Sequence, residues 1–388
     1  MRLLYHCAER QGGLAEYSRH QAAALARLPE TEILWHAPSA VDIPEGVSPL
    51  GALCVAKRQP GRDKLRRAVD FAFDTLSPYR ALSQEIAKSR PDAVLLSSWS
   101  EYFAPLWAPK LRRWQRQGIR FGAVIHDPLR DYVRGPLWWH RYSIRQAYSF
   151  LDVAFTHDAA PLDTCGGSAF LKTVQLPHGP YPVPLGETSK TELRRQFGIP
   201  EAAHVLLSFG HIRDGKNLDQ TIAALPSLPS THLLVAGREQ SAGQKPAAYY
   251  QDLASGLGVA DRCHWHTSYI PNDEVWKYFR ASDLLLLTYS SDFRSASGVL
   301  NMNAQFELPV LASAGAGPLL EAVRRYNLGS MLQRPDAVSI AKAVPEALHV
   351  KGEWRRFAEE NSWHINAERV VQALSEKLRR GNPENLKC

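Results

Sequence analysis

Several features are missing from this 388-residue chain. No apolar run approaches the length of a membrane span. No low-complexity tract or internal repeat is present, which excludes fibrous, solenoid and disordered classes. The opening MRLLYHCAERQGG runs straight into a strand-like pattern and lacks the apolar core of a signal peptide, so no export signal is expected. Cysteine is sparse. Its five residues, Cys7, Cys54, Cys165, Cys263 and Cys388, are scattered, odd in number and without metal-ligand spacing. That speaks against a disulfide framework and predicts reduced thiols in the cytoplasm.

Three well-known nucleotide and metal signatures are also missing. QGGLAEYS is not G-x-G-x-x-G, and no other strand–helix turn supplies that spacing, which argues against a dinucleotide oxidoreductase. DGKN lacks both the first Gly of a phosphate loop and the hydroxyl residue after Lys. His126-Asp127 and His157-Asp158 have no third ligand nearby, so no metal site is expected.

What is present begins with length, which exceeds one ordinary hydrophobic core and predicts two domains. The formal charge is +7, with the excess concentrated in KRQPGRDKLRR (Lys57 to Arg67) and KLRRWQRQGIR (Lys110 to Arg120). Close by, Trp138 and Trp139 lie among Arg134, Arg141 and Arg145. Basic residues beside Trp and Tyr suit an anionic membrane surface or a phosphate-bearing acceptor. They read equally as a solvated helix face over two core tryptophans. No nucleic-acid motif accompanies the charge, so nucleic acid is not an expected partner.

Apolar strand patterns alternate with helical ones throughout. RLLYH, TEILWHA, DAVLLSSW, RFGAVIHD, DVAFTHD and TVQLPHG form one series, and HVLLSFG, THLLVAG, RCHWHTS, DLLLLTYS and LPVLAS a second. Such alternation predicts an α/β protein with parallel sheets wound on both faces. The Pro- and Gly-rich PHGPYPVPLGETSK (Pro177 to Lys190) separates the series and reads as the linker. The expected division is 1–183 plus a terminal helix at about 366–388, and 184–365.

Ligands of open α/β sheets collect at the carboxyl ends of strands. There the sequence offers Gly12 and Gly13 at one turn, His126 at another, and Gly210, Arg213 and Lys216 at a third. A fourth, Ser295 to Leu300, follows the apolar run Leu284–Leu287 and opens a helix. Two cations and Gly-opened helix starts suit a diphosphate. Taken alone, Lys216 also reads as a solvated helix-start lysine, and His126 as a packed core histidine.

The blocks LLSFGHIRDGKNLDQTIAAL, HLLVAG, YIPNDEVWKYFRASDLLLLTYSS and SASGVLNMNAQFELPVLAS, in that order and spacing, resemble the donor half of the retaining GT-B glycosyltransferases of family 4, the glycosyl transferases group 1. The first half agrees more loosely through GGLAEYSRHQAAAL, VIHDP and LPHG. The resemblance implies two facing Rossmann-like domains and a final helix, HINAERVVQALSEKL, crossing back to the first. It implies a nucleotide-sugar donor, UDP- or GDP-linked, in the second domain. A carbohydrate or lipid-linked acceptor is then held by the first, and the sugar is transferred with retention of configuration and without a required metal.

By resemblance, Arg213 and Lys216 hold the donor diphosphate, Gly12 and Gly13 form the loop closing on the donor, and His126 ends a strand beside the transferred sugar. His211 stands where many relatives carry Arg. Gly210, Tyr269 and Ile270, Ser297, Gly298, Val299 and Leu300 fall in donor-binding positions. The family block Glu-x7-Glu, aligned on Gly298, puts Ser295 and Asn303 in place of both carboxylates, with Asn303 expected on the ribose hydroxyls. Arg294 and Asp292 stand close enough in sequence to substitute for the missing sugar contact. The expected setting is polysaccharide or glycolipid synthesis at the cytoplasmic membrane face. Loss of both carboxylates keeps a non-catalytic nucleotide-sugar scaffold as the alternative. A sugar-nucleotide epimerase on the same framework needs carboxylates in the cleft, for which Glu9, Glu16, Glu101 and Asp127 are the candidates.

Overall fold

The computed structural model describes residues 1–53, 64–101, 103–126, 128, 133, 135–158, 161–168, 171–239 and 243–376. Cys54, Asp127, Arg134, Cys388, residues 57–63 of the first basic run and the end of the terminal segment lie outside these. The chain forms two compact units. One comprises Met1–Pro177 with the segment from Trp363 onward, the other His178–Ser362.

The first unit holds a seven-stranded sheet of β1 (Arg2–His6), β2 (Glu32–His36), β3 (Ser48–Pro49), β4 (Ala93–Leu96), β5 (Arg120–Ile125), β6 (Val153–Thr156) and β7 (Lys172–Gln175), in the order β3-β2-β1-β4-β5-β6-β7. The second holds β8 (His204–Phe209), β9 (Thr231–Ala236), β10 (Cys263–His266), β11 (Leu284–Thr288), β12 (Val310–Ser313) and β13 (Gly329–Met331), in the order β10-β9-β8-β11-β12-β13. Every pairing is parallel. Each sheet reverses its strand order once, between β1 and β4 and between β8 and β11, which opens a crevice at the carboxyl ends there.

Burial follows from this layering. The AVLL of β4 and the LLLLT of β11 are buried throughout, as parallel strands covered on both faces must be. Alternate residues feed opposite cores: Leu3 and Tyr5 one layer, Leu4 the other; Val205 and Leu207 one layer, Leu206 the other. The eleven strands read from sequence are all present. The two that sequence reading missed, β3 and β13, have two and three residues, too few to carry a period. β13 also depends on Gly329, where a Cβ would sit 1.9 Å from the Val310 carbonyl oxygen.

The helix Trp363–Ser375 packs on helix Gly13–Ala26 in the first unit, burying Ala367, Val370, Ala373 and Leu374. Gly122 on β5 admits it: a Cβ there would lie 2.8 Å from Phe155 and 3.0 Å from Leu374. A buried polar node fastens the same helix. Asn366, fully buried, donates to Tyr17 Oη (3.0 Å) and to the Pro177 carbonyl (2.7 Å), and accepts from Gln21 Nε2 (2.7 Å).

The units divide at Pro177/His178, not at 183/184. The connecting segment is tied to the second unit, through Tyr181 N–H to the Asn301 carbonyl (3.3 Å) and through a two-way pairing of Val183 with Gln305 (2.9 Å each). Those bonds, invisible as a composition change, move the boundary upstream.

Candidate functional site

In the second unit, chemistry concentrates where β8 reverses into β11. β8 ends at Gly210, whose φ of +90° favours glycine, and whose N–H bonds the Ala236 carbonyl of β9 (2.8 Å). Gly237, at φ +143°, lets the two strand ends touch: a Cβ there would come within 2.2 Å of the Gly210 oxygen. The chain then runs through Arg213 into the short 3-10 turn Asp214–Lys216 and the left-handed Asn217 (φ 51°) before helix Leu218–Ala224.

That turn is strapped to the end of β11. Asn217 Nδ2 donates to the Thr288 carbonyl (2.8 Å), Thr288 Oγ1 donates to the Lys216 carbonyl (3.0 Å), and Ser290 N–H donates to the Gly215 carbonyl (2.8 Å). Held this way, half-buried Lys216 turns its ammonium onto the Phe209 carbonyl and lies against Gly210. A Cβ on Gly210 would be 3.5 Å from Lys216 Nζ and 3.7 Å from Val299, so Gly210, Lys216 and Val299 share one spot. Burial, and then the neighbouring charge of Arg213, pulls the Lys216 pKa down to about 7.

Further cations surround it. The Arg213 guanidinium lies 5.6 Å from the ring centroids of both Tyr289 and Phe293, which stack on each other at 4.1 Å. Arg238, just beyond β9, donates to His211 Nε2 (3.4 Å) and sits 5.9 Å over the ring of Tyr269. Burial and then Arg238, Lys216 and Arg213 lower the His211 pKa. The nearest acid in sequence does not neutralise the group. Asp214 Oδ1 instead accepts from Lys245 N–H (3.0 Å) and Tyr250 Oη (3.2 Å). Among the described residues, Arg213, Lys216 and Arg238 make no ion pair. A convergent set of cations without a counter-charge is what a bound polyanion requires.

Other expected positions divide. Tyr269 is 65% exposed and stands beside the cluster through Arg238, whereas the side chain of Ile270 is buried. Ser297 caps helix Gly298–Asn303 by accepting from Leu300 N–H (3.3 Å). The Leu300 amide is thereby committed, and Gly298 and Val299 carry the helix's first N–H groups, which lack intrahelical acceptors.

Asn303 requires a correction. It is fully buried, donates to the Leu308 carbonyl (2.7 Å) and accepts from the Leu308 N–H (3.3 Å). Its side chain closes the turn into β12 and has no surface to present to a ribose. Gly12, Gly13 and His126 belong to the first unit. Both glycines open helix Gly13–Ala26 with no atom within 4 Å of a built Cβ, so their backbone is approachable. The His126 ring packs edge-on to Tyr17 (4.7 Å) and beside His157 (5.3 Å). Sequence reading overlooked Arg238, Tyr289 and Phe293, although Gly-Arg directly after β9 is the same strand-end signal that marks Gly210 and Arg213.

Residues 189–364 match the family model of glycosyl transferases group 1. That match falls almost entirely within the second unit. The D-inositol 3-phosphate glycosyltransferase of Mycobacteroides abscessus is 27% identical over 198 residues, covering 49% of this chain and 43% of that protein. The lipopolysaccharide glucosyltransferase WaaG of Escherichia coli is 28% identical over 215 residues, covering 52% and 53%. The chain thus spans about half the length of these curated relatives.

Among solved structures, Anabaena Alr3699/HepE in complex with UDP and glucose superposes with a TM-score of 0.67 at 16% identity, covering 97% of this chain and 99% of that one. The UDP-GlcNAc 2-epimerase of Neisseria meningitidis bound to UDP-GlcNAc superposes less well, with a TM-score of 0.54 at 14% identity, covering 96% and 99%. The chain has the GT-B fold, with a Rossmann-like sheet in each unit and the last described helix returned to the first.

Proposed function

We propose that this protein transfers a sugar from a nucleoside diphosphate sugar, UDP- or GDP-linked, to a hydroxyl of a carbohydrate or lipid-linked acceptor, with retention of anomeric configuration. The observation carrying this reading is the cation cluster of Arg213, Lys216 and Arg238, beside His211 at the β8 and β9 ends and without an ion-pair partner among the described residues. The bond from the anomeric carbon to the diphosphate oxygen breaks as the acceptor oxygen bonds that carbon from the same face. The acceptor proton passes to the departing phosphate oxygen, and Arg213 and Lys216 oppose the charge that grows on it. With charge supplied by side chains and by the Gly298 and Val299 amides, no metal is needed, so EDTA leaves the rate unchanged. Gly12 and Gly13 close on the donor, and His126 lies beside the transferred sugar. The first unit takes the acceptor, in polysaccharide or glycolipid synthesis in the cytoplasm, a compartment that suits the unbridged thiols of Cys7 and Cys263.

The test is a thermal-shift titration with UDP, GDP and their sugars, followed by turnover with the stabilising donor. Binding raises the midpoint by mass action. Lys216→Ala abolishes that rise, and full activity in this variant removes the reading. A second reading, a nucleotide-sugar scaffold without turnover, draws on the absent carboxylates at Ser295 and Asn303. Tight donor binding with neither transfer nor hydrolysis selects it. The epimerase alternative is not favoured, because the curated relatives named above are glycosyltransferases.

A further inference from the structure

Two neighbouring helices of the first unit present an unusual outer face. Helix Leu137–Tyr148 buries Ser143, Ile144, Ala147 and Tyr148, while Trp138, Arg141, Tyr142 and Arg145 occupy the opposite side at i, i+3, i+4 and i+7. Trp138 is 69% exposed and Leu137 is 51% exposed, so neither belongs to a core. Helix Ala104–Arg116 packs beside it, with Arg112 donating to Gln146 across the seam (2.8 Å). It likewise buries Trp107, Ala108 and Leu111 and exposes Leu106, Lys110 and Arg113 at i, i+4 and i+7.

Both helices lie on the same side of the sheet, since Trp107, Leu111, Ile144 and Tyr148 share one core. Their outward faces therefore adjoin. Neither helix contains an acidic residue, whereas together they carry Lys110, Arg112, Arg113, Arg116, Arg141 and Arg145.

An ordinary solvated helix face is charged with both signs and free of large apolar groups, and this one inverts both properties. Charge of one sign calls for an anionic surface. Exposed Leu106 and Leu137 beside an exposed indole suit an acyl region that receives them, as the apolar face of an interfacial helix does. Trp and Tyr sit well at the headgroup boundary, and Arg stems reach back from it to phosphate. No helix among the described residues is long and apolar enough to cross a membrane. We infer that the face formed by helices Ala104–Arg116 and Leu137–Tyr148 docks on a bilayer bearing acidic phospholipids, with Trp138 and Leu137 entering the interface and Arg141, Arg145, Lys110 and Arg113 meeting headgroup phosphates. This surface stands independently of the sugar-transfer reading, and its test uses no donor.

The test is co-sedimentation of the full chain with phosphatidylcholine vesicles, with and without phosphatidylglycerol, together with quenching of tryptophan fluorescence by brominated lipid. Binding is expected only with the acidic lipid and is weakened by salt. Arg141→Glu with Arg145→Glu lowers the partition coefficient about tenfold or more, and Arg141→Lys with Arg145→Lys restores most of it. Trp138→Ala removes most of the quenching. All these residues are exposed, so an unchanged thermal midpoint certifies folding in each variant. Equal binding to neutral vesicles, no binding to either, or a short RNA that displaces the protein from acidic vesicles overturns the inference.

Discussion

The ammonium of Lys216 donates a hydrogen bond to the carbonyl of Phe209, the last residue of β8. This contact turns the charge inward across Gly210, where its burial makes the charged form a cost to the folded state.

The sign of that cost is testable. The Lys216 pKa falls to about 7 in the folded chain, below the value of an unfolded lysine, so the unfolded state holds more protons between those values. Stability should rise with pH from about 7 towards the ordinary lysine pKa of about 10.4. Lys216→Met removes this slope and melts higher than the parent at pH 6, which calorimetry reads directly. A diphosphate beside the ammonium raises its pKa again. Affinity for UDP or GDP should therefore fall as pH climbs above about 7, by up to about tenfold per unit. Lys216→Arg flattens the profile.

Arg213 places its charge against the rings of Tyr289 and Phe293. Arg213→Ala is expected to lower kcat by about a hundredfold, the usual loss for one preorganised charge-stabilising donor. Arg213→Lys keeps the charge and loses the guanidinium's fork of donors, and should fall between. Steady-state rates at saturating donor distinguish the three.

Asn303 is expected to matter for stability and little for ligand. Asn303→Ala strands the backbone N–H and carbonyl of Leu308 and should cost about 1–3 kcal/mol of unfolding free energy. Donor affinity measured by titration calorimetry stays within about twofold, since about 0.4 kcal/mol is the most expected from a group that is not in contact. A larger loss of affinity with unchanged stability would restore the ribose role.

Gly122 and Leu374 test the return of the terminal helix. Gly122→Ala overpacks the contact and should cost about 1–3 kcal/mol, and Leu374→Ala opens a cavity worth about 2–5 kcal/mol. The double variant should cost less than the sum, because the shorter side chain at 374 relieves part of the clash. Urea unfolding of the four proteins gives the coupling.

The sequence carried more of the fold than of the site. Short continuous apolar runs such as Leu284–Leu287 announce themselves by composition, and their alternation with helices dictates parallel layers. β13 escapes because it rests on one glycine beneath Val310. In the site, Gly210, Arg213 and Lys216 are legible as a strand-end pattern. Asn303 misleads for a reason sequence cannot reveal: its type suits a ribose, and only the path of the chain brings Leu308 back to consume it. Arg238 is remote in sequence from Lys216, and it joins the cluster through the pairing of β8 with β9.

By itself, then, the order of residues determined two parallel α/β layers, the strands that build them and the cationic segment after β8. Local propensity and burial period act within a few residues, and those features need nothing longer in range. Tertiary structure decided which side chains share space. It turned Lys216 onto Phe209, gave Asp214 to Tyr250 and not to the cluster, closed Asn303 on Leu308, and set Trp138 out toward solvent. Each of those outcomes is a competition among hydrogen bonds, packing and solvation, and only the folded arrangement determines which partner wins.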